Sequence, residues 1–521
     1  MTWIDYLVLA AYFLSTTVVG LFFSCGQKSG LAYFLGDRSI HWLPAGITMT
    51  AVSVSTITFI GMPGQSFKSD WTFLQIYMVI PVACWIVSTV FLPTYTRYRV
   101  VTAYEFLEHR FGVGTRLLAS AVFQLIICGS TGVVIFAPAI MLSEVAGVSV
   151  VASIWIVGIV TTIYTMFGGI KGVIYTDILQ TFVFMMGWLV AVCFIVAALP
   201  AGFPDIWMSA VAQGKLRTFD FSTNLHNPAT FWAGLVAMLF THLALNGVNQ
   251  TQVQKYLAVS NLKGGQRAIM FHGISLFAVY VAFFALGTLL YLFYAARPGA
   301  LPANISPDRV FPHFIMKELP AGLRGFLIAG AFSAAMSTLS SALNSLANVT
   351  VVDFIDRFRP GNTVWRAKLL TLVWGGIVIG AGLLAVRLGS ILELIVKVNS
   401  YFYGCLLGVF LLGMTSRRVS SEGAFVGLLG SMLTILLCAV LWPGYWIWFG
   451  AVGCTVCVVL GYSISFLRAS REPGSSPAVE VKFESSAFGP EGLPRTRSRT
   501  LFQQVFNFNP GDWRGIRLPH S

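Results

Sequence analysis

Long apolar stretches recur along almost the whole chain, and they constrain its fold more than any other feature of the sequence. Each is about long enough to cross a bilayer as a helix, which takes about 20 residues. Hydrophobic residues make up 56% of the 521-residue chain and charged residues only 10%, against about 25% charged in soluble domains. The sequence therefore predicts an all-α polytopic membrane protein with about 13 transmembrane helices. The apolar stretches lie near residues 3–23, 42–62, 72–96, 117–145, 150–167, 173–199, 229–249, 267–295, 322–352, 367–386, 390–414, 420–442 and 446–467.

Lys and Arg residues are unevenly distributed over the loops that join these stretches. With the N-terminus outside, the cytoplasmic loops and the C-terminal stretch hold about three times as many Lys and Arg residues as the outer loops. This bias is typical of membrane proteins, and it accounts for the net charge of +13 without a nucleic-acid partner. We expect a multi-pass protein of the inner (plasma) membrane with its N-terminus outside and its C-terminus inside. The first stretch has no basic region before it and no cleavage site, which predicts a retained helix.

The second apolar stretch carries hydroxyl groups where lipid would exclude them. Such a run, followed by glycines and a proline, predicts a discontinuous helix whose freed carbonyl and amide groups can bind ions and substrate. Helix packing through small residues is the alternative interpretation. The residues concerned are Ser53, Ser55, Thr56, Thr58, Gly61, Pro63 and Gly64.

The ninth stretch, AGAFSAAMSTLSSALNSLANVT, has a ladder of oxygen atoms on one helix face. Ser337, Ser341 and Ser345 recur every four residues, with Ser333 and Thr338 nearby. A sodium ion takes about five or six hard oxygen ligands, and hydroxyl and carbonyl groups supply these without burying a negative charge. The ladder therefore indicates an ion-binding helix.

Single polar residues in other stretches are weaker candidates. Asp177, just inside the sixth stretch, is costly in a membrane and indicates function, although an acid solvated at the interface is an alternative. His242 and Asn246 lie in the seventh stretch, where a packing role is also open. Glu393 and Lys397 are spaced for a local ion pair, or Lys397 could attract an anion.

Enzyme and nucleotide-binding motifs are absent from the sequence, so uphill transport would have to use an ion gradient. We predict a secondary active transporter rather than an enzyme. A membrane sensor that binds a solute without moving it, or a passive channel, is a distant alternative.

Several motifs follow one another along the chain. They are STITF followed by GMPG, SDWTF at 69–73, VTAYEFLEHRFG at 101–112, GGIKGVIYTDILQT at 168–181, GVNQTQVQKYL at 247–257 and MSTLSSALNS at 336–345. With these motifs the chain resembles the sodium:solute symporter family, most closely its bacterial sialic-acid branch and its multivitamin and monocarboxylate branch. The resemblance covers roughly residues 1–470, and it implies that Na⁺ is the coupling ion.

The resemblance implies a LeuT-like core of two inverted five-helix repeats. The domains it implies are an extra N-terminal helix and cytoplasmic loop at 1–40, a ten-helix transport core at 41–414 with repeats at about 41–199 and 229–414, two peripheral helices at 415–467, and a flexible cytoplasmic tail at 468–521. The protein is expected to act as a monomer in the lipid bilayer.

Site residues also follow from the resemblance. The first sodium site would use the carbonyls of Ala51, Val54 and Ala334 with the hydroxyls of Ser337 and Thr338. A second sodium site would use Asp177 with Ser337, Ser340 and Ser341, so that two ions accompany each solute. The resemblance assigns Ser53, Ser55, Thr58 and Phe73 to the substrate site, and with Ser130, His242 and Asn246 these residues make up the predicted substrate-binding set.

The substrate is expected to be a small organic anion with a carboxylate, such as sialic acid or another monocarboxylate or vitamin-like acid. Donor hydroxyls and freed amides at the break of the second stretch suit a carboxylate. Two departures matter: Ser130 stands where the sialic-acid carriers have an arginine, and Tyr77 and Leu245 replace polar sugar-binding residues of the glucose branch. A neutral polyol, sugar or amino acid is the alternative substrate class.

Overall fold

The computed structural model describes residues 1–24, 27–199, 202–302, 304–388 and 390–471, which form nineteen α-helices. Within these ranges there is no β-strand, and the one contact of sheet type is an isolated parallel bridge between Ile40 and Val259. The helices are α1 (Trp3–Phe22), α2 (Gly30–Leu35), α3 (Trp42–Ser53), α4 (Thr56–Lys68), α5 (Ile80–Ile86), α6 (Leu92–Tyr98), α7 (Glu105–Phe111), α8 (Val113–Ala146), α9 (Val150–Ala198), α10 (Phe203–Ala212), α11 (Met238–Gly247), α12 (Gln250–Leu257), α13 (Leu262–Ala295), α14 (Pro307–Lys317), α15 (Leu323–Val349), α16 (Thr363–Leu388), α17 (Ser390–Thr415), α18 (Ser421–Leu441) and α19 (Phe449–Arg471).

Six short segments of tighter or wider helical geometry join or extend these helices. The 3-10 segments are Gly36–Arg38, Thr72–Tyr77 and Pro443–Trp448, and the π segments are Val87–Phe91, Ala233–Ala237 and Thr350–Ile355.

The apolar helices confirm an all-α, multi-span membrane protein. In the described part of the chain, nine helical stretches are long and apolar enough to cross a membrane, or ten when the bent pair α3 and α4 counts as one. Two further predicted stretches correspond to the shorter apolar helices Ala233–Gly247 and Phe402–Thr415. The predicted count of 13 spans and the predicted orientation of the termini stay predictions.

The 49-residue element α9 covers two predicted stretches, and its backbone breaks between them at Gly169. Gly169 has φ 54° and ψ −157°, a conformation that is essentially confined to glycine. The Gln27 side chain donates to the Gly168 carbonyl at 2.5 Å, so the freed backbone at this break has a partner. The break divides α9 where the sequence predicted the boundary between 150–167 and 173–199.

Helix α15 forms the centre of the bundle. Its apolar stretch is 89% buried inside the protein, whereas those of α1 and α18 are only 28% buried. It packs against α1, α8, α9 and α16. A helix that is buried on all sides belongs to the core rather than to the lipid boundary, so the hydroxyl ladder on α15 lies inside the protein.

Charged side chains fix the ends of several helices. At the start of α15, the Asp5 carboxylate accepts hydrogen bonds from the amides of Gly322 at 2.8 Å and Gly325 at 3.0 Å. At the end of α4, the Lys215 ammonium donates to the carbonyls of Phe67 at 2.8 Å and Ser69 at 2.9 Å. A negative charge at a helix N-terminus and a positive charge at a C-terminus both offset the helix dipole.

A buried polar cluster holds the other end of α15. The Arg116 guanidinium lies 2.5 Å from the carboxylates of both Asp353 and Glu108. Asp353 also accepts from Thr102 at 2.7 Å and Ser120 at 2.6 Å. These bonds join α8 and the chain before it to the π segment that follows α15.

Candidate functional site

The second apolar stretch is discontinuous, as the hydroxyl-rich sequence predicted. Helix α3 ends at Ser53 and α4 begins at Thr56, and the two axes are bent by 60°. Val54 and Ser55 between them have extended backbone.

The glycines and the proline that suggested this break lie after it. Pro63 is inside α4, and a Cβ at Gly64 would come within 2.6 Å of the Pro307 carbonyl oxygen. Gly64 therefore serves the close packing of α4 against α14, not the break.

Four of the five residues predicted for the first sodium site, Ala51, Ala334, Ser337 and Thr338, come together at this break. The fifth, Val54, lies in the break itself. The Ser337 hydroxyl lies 3.2 Å from the carbonyls of both Ala51 and Ala334. The Thr338 hydroxyl lies 3.1 Å from the Val52 carbonyl and 3.2 Å from that of Ala334. Val52, whose carbonyl belongs to the last turn of α3, is not among the predicted ligands.

These oxygens have the chemistry that a sodium ion requires. They are neutral and hard, and they belong to hydroxyl and carbonyl groups. The hydroxyls donate to carbonyls in this arrangement, and each can rotate about its C–O bond to offer a lone pair to a cation. Across the described residues, no group of three or more His, Cys, Asp or Glu side chains could hold a metal ion.

A second helix break separates α11 from α12. Helix α11 ends at Gly247, α12 begins at Gln250, and the carbonyls freed between them accept from tyrosines. The Tyr95 hydroxyl donates to Gly247 at 2.6 Å and the Tyr104 hydroxyl to Val248 at 3.1 Å. This break was not predicted, although the polar run GVNQTQVQK in an apolar stretch is a signal for it.

The residues predicted for a second sodium site also come together, but with a lysine among them. Asp177 is fully buried, so it is not an acid at the membrane interface. The hydroxyls of Ser340 and Ser341 each lie 3.4 Å from its carboxylate, and Thr48 donates to it. The Lys255 ammonium pairs with the same carboxylate at 3.0 Å.

Lys255 was missed as a site residue and counted as a cytoplasmic loop charge, which is wrong. All eight residues of α12 are buried, and Lys255 is 1% exposed. The ion pair joins residues far apart in the sequence, so no local pattern predicts it.

Three predicted substrate-binding residues surround the first break. The Ser53 hydroxyl accepts from the Gln252 amide at 2.9 Å, a partner that the sequence analysis did not identify. Ser55 precedes α4, and its side chain makes no capping hydrogen bond to the described amides of the first turn. Thr58 lies in that turn and is half-buried.

An aromatic cluster joins the 3-10 segment Thr72–Tyr77 to α11. The ring centroids of Phe73 and Tyr77 are 6.0 Å apart, and those of Tyr77 and His242 are 6.3 Å apart. His242 is 5% exposed, and its Nε2 has no hydrogen-bond partner among the described residues. Asn246 donates to the His242 carbonyl at 2.9 Å, and its amide oxygen lies 2.9 Å from His272 Nε2.

Ser130 bonds within its own helix. The Ser130 hydroxyl donates to the Ile127 carbonyl of its own helix at 3.1 Å. The side chains of Glu393 and Lys397 lie outside the described residues.

A bundle of apolar helices with oxygen ligands at a central helix break is the architecture of an ion-coupled membrane transporter. The family model of the sodium:solute symporter family matches residues 33–430. The chain belongs to the sodium:solute symporter family.

Individual relatives agree with this assignment. The chain is 31% identical to the sodium-coupled monocarboxylate transporter 1 of Xenopus laevis over 82% of this chain and 70% of that protein. It is 27% identical to a sodium/sialic acid symporter of Aliivibrio fischeri over 88% and 92% of the two chains. It is 31% identical to the human sodium/iodide cotransporter over 84% of this chain and 70% of that one.

Solved structures support the same fold. A Na⁺-coupled sialic acid symporter in a substrate-bound, outward-open state matches with a TM-score of 0.82 and 27% identity, over 89% of this chain and 98% of that one. A nucleobase-cation-symport-1 family transporter matches with a TM-score of 0.54 and 13% identity, over 87% and 97% of the chains, which shows the fold alone. The protein is a sodium-coupled solute symporter, and its relatives confirm the prediction of a transporter rather than an enzyme.

Proposed function

We propose that the protein imports a small organic anion bearing a carboxylate, and that the sodium ion driving it binds at the break between α3 and α4. The observation that carries this proposal is the contact of Ser337 and Thr338 with the carbonyls at the end of α3. A potential of 100 mV supplies about 2.3 kcal/mol for each sodium ion that enters. The sodium concentration gradient adds to this driving force.

The start of α4 is the proposed place for the carboxylate. The amides of a helix's first turn point outward and carry partial positive charge. Ser55, which makes no capping bond to the described first-turn amides, leaves them for a ligand. A sodium ion at the neighbouring carbonyls would offset the charge of the anion, so an arginine at position 130 is not required.

The body of the solute would lie against the aromatic cluster of Phe73, Tyr77 and His242. The unpartnered Nε2 of His242 is a buried polar group, and such groups are costly unless something bonds to them. A hydroxyl or carbonyl group on the solute would satisfy it. The relatives named for sialic acid, monocarboxylates and iodide all act on species that are anions at neutral pH.

Two broken helices support transport by alternating access. The pair α3 and α4 opens the proposed repeat 41–199, and the pair α11 and α12 opens the proposed repeat 229–414. Discontinuous helices in corresponding positions of two inverted repeats mark the ion and substrate sites of such transporters. We propose that the two pairs move relative to the rest of the bundle as the site changes sides.

Uptake into proteoliposomes tests both the coupling and the substrate class. With an inward sodium gradient, labelled lactate, sialic acid and biotin are offered separately, and at least one should accumulate above its outside concentration. Equal accumulation with a potassium gradient would refute sodium coupling. Accumulation that never exceeds the outside concentration would indicate a channel.

Competition then tests the carboxylate. The methyl ester and the amide of the accumulated acid should compete much more weakly than the acid itself, because they cannot carry its negative charge. Neutral analogues that compete as well as the acid would show that the anion proposal is wrong and would favour a neutral solute.

A further inference from the structure

We propose that the Lys255 ammonium is the permanent cation of the Asp177 cluster, so that this protein couples one sodium ion, rather than two, to each solute. The cluster is the one predicted to form a second sodium site. The inference rests on the proposed sodium site at the break between α3 and α4, and it concerns what occupies the neighbouring cluster.

The ammonium is fully coordinated in this cluster. Lysine has three hydrogen-bond donors, and Lys255 uses them on Thr48 Oγ1 at 2.8 Å, Ser341 Oγ at 2.6 Å and Asp177 Oδ2 at 3.0 Å. Two of these three oxygens, Ser341 Oγ and Asp177 Oδ2, belong to residues of the predicted second sodium site. The lysine thus takes the place of an ion that would have to be bound and released in every cycle.

The charges balance without a further cation. Asp177 and Lys255 are both buried, and together they are neutral. A sodium ion added here would leave an excess positive charge within a few ångströms of the ammonium, in a region of low dielectric constant where such repulsion is strong. Sodium could therefore enter only if the lysine side chain moved away.

Neighbouring contacts on α12 hold the lysine in position. The Gln252 amide donates to the Met49 carbonyl of α3 at 3.1 Å. The Gln254 amide donates to the Phe34 carbonyl at 2.7 Å and to the Asn344 side chain of α15 at 2.6 Å. These two glutamines precede Lys255 on the same short helix and tie it to α3 and α15, two of the three helices that line the cluster.

Binding of radioactive sodium to the purified full-length protein measures the number of ions directly. Titrations with ²²Na⁺, in which choline keeps the ionic strength constant, should show one saturable ion per chain. The variant with both Ser337→Ala and Thr338→Ala should lose that ion. Two ions in the wild-type protein, or one ion that survives in this variant and disappears in Asp177→Asn, would overturn the inference.

Two substitutions of Lys255 form a matched pair. Lys255→Ala removes the ammonium and leaves space beside the carboxylate, so a second saturable sodium ion should bind and the Hill coefficient of binding should rise from one towards two. Lys255→Met also removes the charge but fills the space, so the number of bound ions should stay at one. A Lys255→Ala variant that binds no additional sodium contradicts the inference.

The outcomes separate this inference from the proposed function. If the wild-type protein binds no sodium at all, the proposed first site is wrong. If it binds two ions, the first site stands and only the role of Lys255 is wrong. Should Lys255→Ala fail to fold, the wild-type count and the variant with Ser337→Ala and Thr338→Ala still decide the question.

Discussion

Neutralising Lys255 alone should destabilise the protein strongly, because it leaves the Asp177 carboxylate buried without its partner. The two groups are 3.0 Å apart and almost fully shielded from solvent. At an effective dielectric constant of about 20, charges at that distance attract by about 5–6 kcal/mol. Measured losses on breaking buried pairs are similar, about 3–5 kcal/mol, so Lys255→Met should cost several kcal/mol.

Neutralising both residues should restore most of that stability. The double variant Asp177→Asn, Lys255→Met removes both charges and keeps side chains of similar volume, and such replacements of buried pairs are often neutral or stabilising. Thermal unfolding in sodium-free choline buffer should therefore rank wild type and double variant together, with Lys255→Met lower. For a chain of this size a loss of 3–5 kcal/mol corresponds to a decrease in Tm of about 3–5 °C.

Sodium adds a second readout to the same assay. Sodium should stabilise Lys255→Ala more than it stabilises the wild type, because a sodium ion can occupy the space that the ammonium leaves. A ligand that binds only the folded state raises the stability of that state. If Lys255→Met is as stable as the wild type, or if the double variant is no more stable than the single one, the interpretation of a buried ion pair is refuted.

Three further predictions concern other contacts of the structure. Thr338→Ala should weaken sodium binding by roughly tenfold to a hundredfold, because it removes an oxygen of the proposed site. Ser333→Ala is the control, because the Ser333 hydroxyl bonds within its own helix and this variant should bind sodium normally. Equal affinities of the two variants in a ²²Na⁺ titration would exclude Thr338 as a ligand. Burial raises the pKa of Glu105 from 4.5 to about 7, against the opposing effect of Arg116. Between these two pH values the folded protein keeps a proton that the unfolded chain has released. The contribution of Glu105 to stability should therefore fall as the pH rises from 4.5 to about 7. Glu105→Gln should therefore lose less Tm than the wild type between pH 5 and pH 8, and parallel pH profiles would contradict this. Arg116→Ala leaves the buried Asp353 carboxylate without its ion-pair partner and should lower Tm by several degrees. Arg357→Ala removes a half-exposed pair with Glu108 and should change Tm little. Similar decreases in Tm for both variants would contradict this prediction.

The first break and the oxygen-bearing residues that meet at it could be predicted because their signals are local. Hydroxyl groups at membrane depth are unusual in a lipid-facing helix, and the ladder on α15 has the period of a helix face. The exact position of the break does not follow from the sequence, because Pro63 and Gly64 look like helix breakers. They lie inside α4, where Gly64 allows close packing against α14.

The partner of Asp177 could not be predicted in the same way. An acid in a membrane span indicates function, but its counter-ion lies on another helix, beyond a break that the sequence analysis did not recognise. Positive charges at the end of an apolar stretch are usually cytoplasmic, and this rule placed Lys255 in a loop. Only the packing of α12 between α3 and α15 shows that the lysine is buried.

Sodium-driven uptake by the wild type and by the variant with Ser337→Ala and Thr338→Ala, compared in proteoliposomes, tests the central claim most directly. The labelled acid that the wild type accumulates is offered over a series of outside sodium concentrations. The wild type should accumulate it above the outside concentration only with sodium, and the variant should require far more sodium or accumulate none. Uptake by the variant with the same half-saturating sodium concentration as the wild type would contradict a driving sodium ion at the break between α3 and α4.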